Sequence, residues 1–296
     1  MASSHVVWLN GMLVPAGEAR LSIDDAAITA GATVTERLRT FRHEPFLLAA
    51  HLGRLYASAR SAFIDPPLEK SELDEVVRET IARNAEIIPA EEDLSVSVWL
   101  SGGMDDRPTL CIDARPIPTA RYACGYSAGL RLAVPATLAI DPGSLSPAIK
   151  TRNRLHWRIA DRQADQIDSG ASALLVDRNG FITETATANV FAVRDGRLFA
   201  PRRKRTLAGI SQRYVFGLAE GIGAELAETD LMIEDFLHAD EVLCSSSVFC
   251  LQPVFRINQQ AIGDGRPGPV YQKLLAAWSR EVGVDIAGQM QHGETS

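Results

Sequence analysis

The sequence predicts an α+β protein of two domains. Short strand patterns bounded by Gly, Pro or Asp dominate the chain. Helical patterns fall between them irregularly rather than in strict βαβ alternation, and 296 residues leave room for two cores of ordinary size. The prolines of "ARPIPTARYACG" place a linker at residues 119–125. It separates a small N-terminal α/β domain, residues 1–118, from a larger β-rich domain with flanking helices, residues 126–296.

"HVVWLNG" and "TVTERLRTF" open the chain as strands, and "PFLLAAHLGRLYASARSA" reads as a strand running into a helix. "KSELDEVVRETIARNA" is a clearer helix: Leu73, Val76, Val77 and Ile81 share one face, and Ser71 with Asp74 resembles a capping box. "LSVSVWL" alternates, so Leu94, Val96, Val98 and Leu100 face one way from a strand. After the linker come "LRLAVPA" and a helix through "HWRIADRQADQI". Two hairpins follow, "SALLVD-RNG-FITET" and "ANVFAV-RDG-RLFA", each with a Gly-bearing tight turn. A helix "ISQRYVFGLAEGIG", a strand "EVLCSSS" and a last helix "PVYQKLLAAWSREVG" complete the order, with no internal repeat.

Composition narrows the function. Hydrophobic residues make up 46% and charged residues 23%, the balance of a folded soluble chain. A net charge of −7 leaves no excess of cations to neutralise phosphates, which argues against nucleic acid as the main partner. Cys111, Cys124, Cys244 and Cys250 form no C-x-x-C pair and read as reduced thiols of a cytoplasmic protein. "MASSHVVWLNG" lacks the basic and apolar regions of a secretory signal. No apolar run approaches the roughly 20 residues that span a bilayer, so no membrane partner is expected.

"GDGRPG", Gly263 to Gly268, matches G-x-G-x-x-G literally, but no βαβ unit surrounds it, so a plain turn into the last helix is the better reading. The six histidines show no metal-ligand spacing, and no metal is expected. Ser245-Ser246-Ser247 lacks a nucleophile elbow, yet hydroxyls and N–H groups after a strand suit an anion.

Lys150, in "SPAIKTRNRLHWR", taken alone reads as a surface lysine. Its company changes that reading: "HLGRL" at 51–55 upstream, and Glu184 in "GFITETATANVF" 34 residues downstream. "LAGIS" at 207–211 and "ADEVLCSSS" before "QPV" follow. In this order the motifs resemble the class IV, or fold-type IV, pyridoxal-phosphate enzymes, over nearly the whole chain from about residue 8 to 278. That family includes branched-chain and D-amino acid aminotransferases and aminodeoxychorismate lyases.

The resemblance implies a fold-type IV architecture, pyridoxal 5′-phosphate as cofactor, and a homodimer. It implies amino-group transfer between an amino acid and a 2-oxo acid, or, as the alternative, release of pyruvate and p-aminobenzoate from aminodeoxychorismate. Lys150 matches the lysine that forms a Schiff base with the cofactor and moves the substrate α-proton. Glu184 matches the acid that keeps the pyridine nitrogen protonated. Arg54 matches the phosphate-binding arginine. Gly209, Ile210 and Ser211 match the G-I/V-T helix start that receives the same phosphate, and Ser247 stands where relatives carry a phosphate-binding Thr.

Departures concern the substrate. Ala30 and Thr35 stand where relatives carry aromatic residues, so the apolar wall is reduced. Alternation puts Thr35, Arg37 and Arg39 on one strand face. Either the arginines turn to a substrate carboxylate, or one or both pair with local acids such as Glu36 or Asp24. Arg107 joins them as a fourth candidate substrate residue, and dicarboxylic substrates are expected to outperform aliphatic ones. "K-x-x-N-R-L" resembles the lyases more than the branched-chain enzymes, which place a Tyr just after the Asn. Gln212 replaces the usual Arg and has no functional account.

Overall fold

Leu94, Val96, Val98 and Leu100 are all fully buried along one side of a strand, as their alternation requires. The computed structural model that shows this describes residues 5–291 and separates them into two units. One runs to Ile117 and takes in Ile149–Arg154; the other comprises Pro118–Ala148 and the residues from Leu155 onward.

The first unit contains β1 (Val6–Leu9), β2 (Met12–Pro15), α1 (Ala26–Thr29), β3 (Thr33–Phe41) and β4 (Glu44–Pro45). α2 (Leu48–Ser61), α3 (Lys70–Ala85), β5 (Leu94–Met104) and β6 (Arg107–Pro116) follow. Its strands form an antiparallel sheet in the order β2-β1-β6-β5-β3-β4. The β3–β4 and β5–β6 turns place Arg42, His43, Asp105 and Asp106 at positive φ, the geometry that matches sheet twist. Val34 and Leu38 of β3 join the alternating residues of β5 in one core with Leu52, Leu55, Leu73, Val77 and Ile81 of α2 and α3. The opposite face is polar: Thr33, Thr35 and Arg37 lie beside Ser97, Trp99 and Ser101. The capping box of α3 is Glu69 with Glu72, not Ser71 with Asp74, because the helix begins one residue before Ser71.

Two boundaries differ from the sequence reading. Residues 119–125, expected as a linker, lie in α4 (Thr119–Ser127). The prolines precede the first turn, where their missing N–H groups disrupt nothing. Residues 149–154, expected in the C-terminal domain, extend the first sheet instead: Thr35 N donates to the Lys150 carbonyl at 2.9 Å and Arg152 N to that of Thr33 at 2.8 Å.

The second unit continues with β7 (Leu130–Ala133), α5 (Leu155–Ile167), β8 (Ser172–Val176), β9 (Ile182–Thr185), β10 (Asn189–Arg194) and β11 (Arg197–Pro201). Then come α6 (Ile210–Gly221), β12 (Leu226–Thr229), α7 (Ile233–Leu237), β13 (Glu241–Ser246), β14 (Cys250–Ile257), β15 (Gln260–Ala261), α8 (Pro269–Val282) and α9 (Ile286–Gln291). Both anticipated hairpins are present as β8–β9 and β10–β11. The strands β10-β13-β14-β7-β8-β9 pair in sequence and β9 returns to β10, so the sheet closes on itself around Leu132, Leu174, Val190, Val242 and Val254. The closing contact is a single pair, Glu184 with Asn189. At α8, Val270 and Tyr271 N–H groups both donate to buried Glu241 at 2.8 Å. The N-terminus after "GDGRPG" thus already holds a protein carboxylate.

Arg39 is fully buried. Its Nε donates to the Thr40 carbonyl at 3.0 Å, Nη2 lies 3.6 Å from Asp93, and its guanidinium stacks 4.1 Å from the Phe41 ring centre. The alternative of a local acid therefore holds for Arg39, with Asp93 as that acid, and this arginine is not on offer to a substrate. Arg39→Met is expected to cost about 3–5 kcal/mol of stability, the usual loss when one member of a buried ion pair is removed. Denaturant unfolding checks this; an unchanged midpoint would count against it.

Candidate active site

In the first unit the site residues gather around β3. Glu36 shares the inward parity of Val34 and Leu38, so an acid stands in an apolar core and requires cations. α2 supplies one cation, Arg54, and one ring donor, His51, from positions three apart that place both side chains on one helical face. Arg54 clamps Glu36 with Nε at 2.6 Å from Oε1 and Nη2 at 2.8 Å from Oε2, while His51 Nδ1 lies 2.7 Å from Oε2. Burial pushes the Glu36 carboxyl up, but the Arg54 charge and the bonds from Arg54 and His51 outweigh it and hold it at about 2. Burial drives His51 down, against Glu36, and Arg54 and Lys150 push the same way as burial.

Lys150 lies in the segment that pairs with β3, and its N–H also donates to Ser58 of α2 at 3.2 Å. Thr151 bridges Val34, whose side chain faces the helices. Arg152 lies on the opposite, polar face, its guanidinium 5.5 Å from the Trp99 ring centre, and Thr151 N donates to the Ile149 carbonyl at 3.1 Å in a tight turn centred on Lys150. Thr35 Oγ1 donates to the Val98 carbonyl at 3.0 Å, and Arg37 Nε to Ser95 at 2.9 Å. Arg107 is exposed at the start of β6.

Acid lowers the stability of this cluster. His51, with its folded pKa below the unfolded value of 6.5, resists protonation, so stability falls as pH drops below that value. Glu36, depressed from 4.5, contributes stability that is full above 4.5 and is lost as pH falls toward about 2. The melting temperature is expected to fall below pH 6.5 and more steeply below 4.5. Glu36→Gln is expected to remove the lower limb and about 3–5 kcal/mol at neutral pH. A variant with the wild-type acid profile would contradict this.

In the second unit Glu184 stands at the closing seam. Asn189 Nδ2 donates to its Oε2 at 3.3 Å and Leu207 N to its Oε1 at 3.2 Å. Gly209, the cap of α6, packs so closely on Asn189 that an added Cβ would sit 1.9 Å from its Oδ1. No side chain caps α6, so its first N–H groups are open to an anion. Ser211 Oγ of its first turn lies 3.3 Å from Ser247 Oγ. Around this patch Thr206 Oγ1, Gln212 Nε2 and Ser245 Oγ are buried without hydrogen-bond partners among the described residues. Buried polar atoms are rarely left so. The helix start, hydroxyls and carboxylate thus suit a phosphorylated, protonated heterocycle.

Sequence reading named Glu36 only as a possible partner for the arginines of its own strand, quoted His51 and Asn189 without a role, and missed Ser58. Glu36 had left a signal: an acid at the apolar parity of a strand, with His and Arg three apart on the next helix.

The amino-transferase class IV family model matches residues 33–257. The chain belongs to this family. A Methanocaldococcus jannaschii protein provisionally named branched-chain-amino-acid aminotransferase is 32% identical over 278 residues, covering 90% of this chain and 93% of that one. The D-alanine aminotransferase of Staphylococcus haemolyticus is 26% identical, over 93% and 97%. The crystal structure of Escherichia coli branched-chain amino acid aminotransferase superposes with a TM-score of 0.86 at 25% identity, covering 97% of this chain and 96% of that one. As a class IV aminotransferase the protein has the fold-type IV architecture. It uses pyridoxal phosphate and transfers an amino group between an amino acid and a 2-oxo acid.

Proposed function

We propose that Lys150, Glu184, Arg54, Gly209, Ile210, Ser211 and Ser247 hold and operate the cofactor in a cytoplasmic homodimeric aminotransferase. The observation that carries this is the Glu184–Asn189–Gly209 cluster, which sets a fixed carboxylate beside an uncapped helix start. When bound, pyridoxal phosphate supplies an electron sink that makes the substrate α-proton removable. Lys150 Nζ would hold the cofactor at rest and would serve as the general base for the substrate α-proton. Glu184, oriented by Asn189 and the Leu207 N–H, would hold the ring nitrogen and favour its protonated form. The α6 N–H groups, Ser211 and Ser247 receive the phosphate, with Arg54 held in orientation by Glu36. Thr35, Arg37 and Arg107 belong to the substrate side.

The relatives' names divide between branched-chain amino acids and D-alanine, so stereochemistry has to be measured. A donor panel of L- and D-leucine, alanine and glutamate with 2-oxo acid acceptors tests the reading, beside an assay for p-aminobenzoate release. Amino transfer without p-aminobenzoate release is expected. The reverse result would favour the lyase that "K-x-x-N-R-L" suggests.

A further inference from the structure

Lys150 follows a mostly exposed, irregular stretch, residues 142–148, and α5 begins only at Leu155. Its main chain is nevertheless held from two regular elements. The carbonyl accepts from Thr35 N of β3, and the N–H donates to Ser58 Oγ of α2 at 3.2 Å. Ile149, just before it, packs on the core formed with α2 and α3. Ser58 is out of character for its place. It is 1% exposed and lies on the buried side of α2 with Leu48, Leu52, Leu55 and Ala59. A buried hydroxyl is costly unless it is hydrogen-bonded, so this face favours an apolar residue. The Lys150 N–H is the side chain's one hydrogen-bond partner among the described residues. Positions 51, 54 and 58 are three and four apart, so His51, Arg54 and Ser58 form one row along the helix. The first two of that row grip Glu36 of β3, and the third grips the Lys150 turn.

We propose that Ser58 is a positioning residue of the reaction: it pins the Lys150 turn to α2 and thereby sets where Nζ stands relative to Arg54, one helical turn away on the same row. The role is geometric. A general base carried by an irregular segment needs such a tie, because a shift of about 1 Å in a reacting group can cost roughly a hundredfold in rate. A single bond to β3 would let the turn swing about that strand. The second bond, from a separate element, removes this freedom. Ser58 acts through Lys150 and carries no proton itself. Alanine at this position would pack against the same leucines and leave the Lys150 N–H without this partner.

This rests on the reading of Lys150 above, and the test separates the two. Wild-type holoenzyme with its cofactor on another lysine would fail that reading before any variant is made. Ser58→Ala and Ser58→Thr holoenzymes are then compared with wild type, using an amino donor that the wild type turns over. Single-turnover loss of the visible band, with donor in excess, reads the proton-removing half of the reaction per bound cofactor. Its rate constant is expected to fall about ten- to a hundredfold in Ser58→Ala with its amplitude kept. A residue that only supports folding would lower the amplitude and leave the rate constant alone. Ser58→Thr keeps the hydroxyl and should stay close to the wild-type rate. Amide exchange on the holoenzyme needs no turnover: protection of the Lys150 N–H should drop in Ser58→Ala and persist in Ser58→Thr. If Ser58→Ala does not fold, Ser58→Cys, of similar size and a weaker acceptor, is judged by the same criteria. An unchanged rate constant overturns the proposal. So does a slowed step in either variant whose Lys150 N–H stays protected, because the loss would then not pass through this bond.

Discussion

Lys150→Ala is expected to abolish transamination and leave the fold in place. The backbone N–H of this residue meets Ser58 and its carbonyl accepts from Thr35. Alanine preserves both bonds. In the proposed chemistry Nζ is both covalent anchor and general base, and its loss removes both. The fall should exceed the roughly 10²–10⁴-fold that a positioned general base alone supplies. Turnover, thermal unfolding and visible absorbance, read together, check it. A variant that kept the wild-type visible band and full turnover would rule out the assignment.

Glu184→Gln should lose far more rate than cofactor. The glutamine still offers one acceptor to Asn189 or the Leu207 N–H, and the helix start, Ser211 and Ser247 are untouched. Under the proposed role, the change removes the negative charge that favours a protonated ring nitrogen. A drop of about 10²–10⁴-fold in kcat is expected at saturating cofactor. Cofactor affinity from fluorescence titration should move much less. Wild-type kcat in this variant would show that the carboxylate has no such role.

Most of the element order was legible because its determinants are local. The period of Leu73, Val77 and Ile81 and the Asp195-Gly196 turn belong to their own segments. The interdomain boundary was not legible, because proline tolerance at a helix start and the return of residues 149–154 to β3 are long-range outcomes. The site divided the same way. Lys150, Glu184 and Arg54 carry motif neighbours in sequence. Arg39 does not: its shared face with Arg37 was visible, but Asp93, 54 residues away, decides its burial. Glu36 was taken as an arginine partner for its own strand, and its partners, Arg54 and His51, come from α2 instead.

The chain contains four lysines, Lys70, Lys150, Lys204 and Lys273, and all but Lys150 are exposed. Borohydride reduction of the holoenzyme followed by peptide mass mapping reads directly which lysine carries the cofactor. Close to one phosphopyridoxyl group per chain, on the peptide containing Lys150, is the expected result. Label on Lys70, Lys204 or Lys273, or no label in protein that retains cofactor, would contradict the assignment on which the proposed chemistry depends.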